Sequence, residues 1–131
     1  MIVVDASALV DWLLGTPTRG PEAGRHIAGA KILHTLDMAQ VEVISAVRRK
    51  VARGDLDAGR AEQAMSDLRA ARLMRHAAWP LGPRIWDLRA THSSYDAGYV
   101  ALSEALALPL VTTDRPLARS HGHAAEIVYA G

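Results

Sequence analysis

The chain has 131 residues, half of them hydrophobic and 22% charged, with a formal net charge of +1 and no cysteine. That length suits one ordinary domain with a core that needs no covalent staple, and the missing cysteine excludes disulfides and thiolate-bound zinc. No apolar run nears the roughly 20 residues of a membrane span, and Asp5 comes too early for a signal peptide, with no basic residue before it. The expectation is a cytoplasmic protein in which residues 1–131 form a single domain. The near-neutral balance identifies no ligand, although 13 of the 15 cationic residues are arginine.

Ile2-Val3-Val4 is a β-branched run ending at Asp5 and predicts a first buried strand. Residues 8–14 then predict a short helix stopped by Gly15 and Pro17, and residues 21–28 a second one. Residues 31–34 predict the next strand. From Met38 to Arg53 the positions Ile44, Val47 and Val51 form an apolar helix stripe, and Gly54 supplies the stop. Asp57 caps an alanine-rich helix to about Ala71, with Arg60, Glu62, Asp67 and Arg69 on its exposed face. Residues 73–77 are a strand candidate, and residues 83–90 a helix. Ser93 or Ser94 caps a helix with Tyr95, Tyr99, Leu102 and Leu106 at helical spacing, and Ala97, Ala101 and Ala105 on a second face suited to close packing. Residues 109–113 predict a strand ending at Asp114, Pro116 opens a short helix, and residues 126–129 form a last strand. Short apolar strands alternating with helices predict a three-layer α/β fold, a mostly parallel sheet of four or five strands flanked by helices.

In such a sheet ligands bind beyond the carboxyl ends of the strands. Asp5 and Asp114 stand at strand ends, and Glu42 and Asp96 stand near helix starts on the same rim. Unit charges 4 Å apart repel by roughly 4 kcal/mol at an effective dielectric of 20. A hard divalent cation relieves that repulsion, and oxygen-only ligands favour Mg²⁺ or Mn²⁺.

Residues 2–9, IVVDASAL, resemble the opening motif of PIN-domain nucleases. Residues 41–49, VEVISAVRR, are similar to that family's glutamate helix, residues 95–102, YDAGYVAL, to its third acidic motif, and residues 110–117, LVTTDRPL, to its fourth. The four occur in order across the whole chain, and the size is similar to that of VapC toxins of type II toxin–antitoxin modules. Ser103 stands where the family often has alanine, and the segment before Ala39 lacks a common proline. The resemblance implies a ribonuclease in which Asp5, Glu42, Asp96 and Asp114 are both catalytic and metal-binding, with Mg²⁺ or Mn²⁺ as cofactor. It makes Ser7 and Thr112 supporting polar residues. It further implies RNA as substrate, a cognate VapB-type antitoxin as partner, a homodimer and no membrane.

Other groupings carry less. Arg48, Arg49 and Arg53, with Lys50, either line an RNA path or form a solvated helix face. Trp12, Leu13 and Leu14 are core residues or, alternatively, an antitoxin contact walling the groove to the acids. Trp79 and Trp86 carry the same two readings, core or partner groove, with core favoured. His34 reads as structural, and His121-Gly122-His123 as a loop despite a metal-like spacing. No G-x-G-x-x-G, Walker A or G-x-S-x-G motif exists. An aspartyl-phosphate enzyme is disfavoured by Ser7, where a phosphatase needs a second aspartate, and by the lack of any lysine after Lys50, which a receiver needs. A binding module that engages RNA or protein without cutting is the remaining alternative.

Overall fold

A computed structural model describes all 131 residues. Five strands, β1 (Ile2–Val4), β2 (Leu33–Leu36), β3 (Leu73–His76), β4 (Leu110–Thr112) and β5 (Ile127–Tyr129), form one sheet in the order β3-β2-β1-β4-β5. Every pairing is parallel. Seven helices make the crossovers: α1 (Ala6–Leu14), α2 (Arg19–Gly29), α3 (Ala39–Ala52), α4 (Ala58–Ala70), α5 (Gly82–Asp87), α6 (Ser94–Leu106) and α7 (Arg115–Ala118). Strand order reverses at β1, with β2 on one side and β4 on the other. The carboxyl ends of β1 and β4 therefore open side by side at the switch point, where α/β sheets form their clefts.

The core follows from the central strands being covered on both faces. Val3, Val4, Leu110 and Val111 are fully or almost fully buried, beneath Leu9 and Leu13 of α1, Val43 and Val47 of α3, and Ala97 and Val100 of α6. In α3 the buried row is Ala39, Val43 and Val47, spaced by four, and the expected stripe residue Ile44 is exposed. Gly98 brings α6 close to β2, since a Cβ there would stand 3.0 Å from both Leu36 Cδ1 and Met38 Cε. Ser103, buried in α6, donates to Leu108 O at 2.6 Å, so its hydroxyl is satisfied by the turn that follows. No helix is long and apolar enough to cross a membrane.

Three expectations need correction. The second strand lies two residues later than predicted, which puts His34 inside it, with Nδ1 2.9 Å from His76 Nε2 on β3. Tyr95 and Ala105 are exposed, so neither α6 face is buried along its full length. Trp79 and Trp86 are not core residues: they are 92% and 65% exposed. Ile85 and Leu88 take the inward positions of that segment, and Trp86 instead lies under the Arg89 guanidinium, 4.4 Å from its ring centroid.

Candidate active site

The end of β1 hands the chain directly to α1 through Asp5, which is both the N-cap of α1 and almost fully buried. Its Oδ1 accepts from Ala8 N at 2.9 Å and from Ser7 Oγ at 2.7 Å, and its Oδ2 accepts from Thr112 Oγ1 at 2.5 Å. Both hydroxyls spend their single proton on Asp5, so their lone pairs are free for backbone donors. Thr113 N donates to Ser7 Oγ at 3.2 Å, and Asp114 N donates to Thr112 Oγ1 at 3.0 Å. Ser7 and Thr112 thus tie the ends of β1 and β4 into one cradle around a carboxylate.

Burial pushes Asp5 up to about 6, against the pull of the hydroxyl and amide donors, and the nearby Asp96 charge adds to the rise. Glu42, in the first turn of α3, is half-buried, and its Oε1 accepts from Tyr99 Oη at 2.7 Å. Burial raises its pKa, the tyrosine bond lowers it, and Asp96 raises it again. Asp96 lies in the first turn of α6, whose N-cap Ser93 accepts from Asp96 N at 3.2 Å. Its own pKa is raised by burial and then by Asp114. Asp114 caps α7, with Leu117 N donating to its Oδ1 at 3.3 Å. Asp96 is therefore the common neighbour through which the four charges act on one another.

None of these four acids forms an ion pair. The chain's acid–base contacts lie elsewhere, at Asp11–Arg19, Glu22–Arg25, Asp55–Arg53 and Glu104–Arg84. Nor do any three acidic or imidazole groups already close into a metal cage. The four acids are an all-oxygen donor set, the chemistry of a hard divalent cation that keeps several of its own waters.

Ser7, Glu42 and Asp114 line a cleft of about 1000 Å³, with Asp5 beneath its surface. Tyr95 and Tyr129 also line it, as do Arg19, Arg49, Lys50 and Arg115. The Arg115 guanidinium stands over the Tyr129 ring, 5.5 Å from its centroid. Of the expected RNA-path arginines, Arg49 is in the cleft wall; Arg48 is exposed outside it, and Arg53 stands 3.3 Å from Asp55. Trp12 and Leu13 do not wall this cleft. They line a separate shallow groove with Asp67, Ala70 and Ala71, because they project from α1 toward α4, while Leu14 packs half-buried on the core. His123 Nδ1 accepts from Ala125 N and its Nε2 pairs with Ser120 Oγ, so both ring nitrogens are engaged within a loop.

Sequence reasoning missed four features: the Tyr99–Glu42 bond, the Thr113–Asp11 bond, and the places of Tyr95 and Tyr129 in the cleft. The one available signal was Tyr99 itself, since a tyrosine buried among small residues must find a partner for its hydroxyl.

The PIN domain description matches residues 2–121. Ribonuclease VapC12 of Mycobacterium tuberculosis is 41% identical over 130 residues, covering 97% of each chain. Ribonuclease VapC9 of the same organism is 40% identical over 114 residues, covering 87% of this chain and 86% of its own. The crystal structure of M. tuberculosis VapC20, described as a Sarcin-Ricin loop cleaving toxin, superposes with a TM-score of 0.73 at 16% identity, covering 95% of this chain and 97% of its own. That last likeness bears on the fold alone. The fold, the ordered acidic motifs and these relatives agree: the chain belongs to the PIN-domain family and is of the VapC type.

Proposed function

We propose that this protein is an endoribonuclease toxin whose Asp5, Glu42, Asp96 and Asp114 hold Mg²⁺ or Mn²⁺ for hydrolysis of RNA phosphodiester bonds. The observation that carries the reading is the ring of four carboxylates at the sheet's switch point, coupled through Asp96 and lacking any basic partner. Burial first, and then the neighbouring acidic charge, raises the pKa of three of its members, and a cation relieves both costs. The relatives named ribonucleases support RNA as the substrate. When bound, the ion supplies charge stabilisation at the phosphodiester and makes a water acidic enough to attack near neutral pH.

The chain's own groups do the positioning. Three donors fix the Asp5 carboxyl in place and oppose the rise in pKa that burial imposes on it. Tyr99 occupies Glu42 Oε1, which leaves Oε2 as the oxygen available to accept a proton from the attacking water. Arg49, Lys50 and Arg115 in the cleft wall offset the acids and attract the phosphate backbone, and Tyr95 and Tyr129 offer ring faces on which unpaired bases stack. An enzyme that cuts cellular RNA needs restraint, and the VapC relationship supports a VapB-type antitoxin acting on a homodimeric toxin. An arginine from that partner can pair with the carboxylates bidentately in place of the ion.

Incubating purified protein with total RNA and Mg²⁺, and mapping the new 5′ ends, tests the reading. Discrete new ends at reproducible positions are expected, and none should appear with Asp96→Asn. Recovery of the chain alone from its native operon, harmless when overexpressed, contradicts the toxin assignment.

A further inference from the structure

The connection from α1 to α2 is shaped around one side chain. A Cβ on Gly20 would lie 2.7 Å from Gly15 C and 2.8 Å from Asp11 O, so glycine is required for α2 to rest on the end of α1. Thr18, just before α2, is held at φ 68°, a region unfavourable for a β-branched residue. Between these two stands Arg19. Beneath it Asp11 is 8% exposed, and its Oδ2 accepts from Thr113 Oγ1 at 2.6 Å while facing Arg19 Nε at 3.7 Å. Thr113 is the residue before Asp114, so Asp11 and Arg19 are connected to the acidic rim through one hydrogen bond.

The strain at Thr18 exceeds what a half-exposed ion pair returns. The nearest approach of Arg19 to Asp11 is through Nε, and its half-exposed side chain in the cleft wall makes no hydrogen bond of its own. The guanidinium faces Asp11 and forms no ion pair with Glu42 or Asp114.

We infer that Arg19 is a phosphate-positioning residue: the Asp11 carboxylate orients its guanidinium by charge, and its Nη groups donate to the non-bridging oxygens of an RNA phosphate in the cleft. The inference rests on the ribonuclease reading and assigns a residue to it. A guanidinium fork matches two phosphate oxygens, and anchoring it in advance lowers the entropy lost on binding.

The test measures RNA cleavage with Mg²⁺ over a series of salt concentrations for the intact protein, Arg19→Gln and Arg19→Lys, separating KM from kcat. Glutamine can still donate to Asp11 but carries no charge, whereas lysine keeps the charge. Arg19→Gln is expected to raise KM about tenfold, the loss of one charge-assisted contact, with kcat within about twofold of the parent. The slope of log affinity against log salt should fall by about 0.7, the share of one single-strand phosphate. Arg19→Lys should keep that slope. An unchanged KM and slope in Arg19→Gln, or normal function in the glutamine variant beside a defective lysine variant, overturns the inference while the ribonuclease reading stands. Absence of RNA cleavage by the parent protein overturns both.

Discussion

The buried Tyr99 of α6 donates its hydroxyl to Glu42 Oε1 on α3 across 2.7 Å, so one crossover helix fixes a cleft carboxylate carried by another. That bond opposes the rise that burial imposes on Glu42. Tyr99→Phe removes it, and Glu42 should then take up its proton at higher pH. The acidic limb of the pH–rate profile should move upward, with a stability loss of about 1 kcal/mol for the lost hydrogen bond. An acidic limb at its original position shows that Tyr99 does not tune Glu42.

Asp5 gives a stability effect of definite sign. Its folded pKa of about 6 lies above the ordinary 3.8, so between those values the folded state binds more protons than the unfolded state. The metal-free protein should therefore gain stability as pH falls through 6 toward 4, by an amount on the order of 3 kcal/mol from this group. That stabilisation is fully present below the ordinary pKa and is lost as pH rises through the folded one. Chemical denaturation at pH 4.5 and pH 7, compared between the parent and Asp5→Asn, measures it. A parent that loses stability on mild acidification, with the same pH dependence in Asp5→Asn, contradicts the burial argument.

Asp96 is the hub of the acidic cluster, so Asp96→Asn separates folding from function. Removing one of four like charges relieves repulsion, and the metal-free Tm should stay unchanged or rise slightly. Mg²⁺ should raise the Tm of the parent by binding its folded form and have little effect on the variant. A large drop in metal-free Tm with normal cleavage would assign Asp96 a structural role.

Much of this was legible because the relevant information is local. Asp5, Thr112 and Asp114 follow β-branched runs, so their strand-end positions could be read directly, and Ser93 marks the start of the helix that carries Asp96. The unread features depend on pairs distant in the chain. Nothing near Glu42 names Tyr99, which lies 57 residues away. In α3 both Val43 and Ile44 fit a helical stripe with Val47, and only packing against α1 and α4 decides between them. The α3 face could have been sorted further: Ser45, Ala46 and Arg49 lie three, four and seven residues beyond Glu42, on the side that lines the cleft, whereas Arg48 falls off it. Trp79 and Trp86 mislead because large apolar residues are usually core, while α5 has only one inward side, occupied by Ile85 and followed by Leu88.

On the proposed function, RNA is cut at the four carboxylates only when a divalent ion is bound. The direct measurement is the cleavage rate of one mapped RNA by metal-stripped protein, before and after titration with Mg²⁺, Mn²⁺ or Ca²⁺. Activity should be absent in EDTA, return with Mg²⁺ or Mn²⁺, and return poorly with Ca²⁺, whose larger and looser shell orients the attacking water less well. Full cleavage in EDTA contradicts the account.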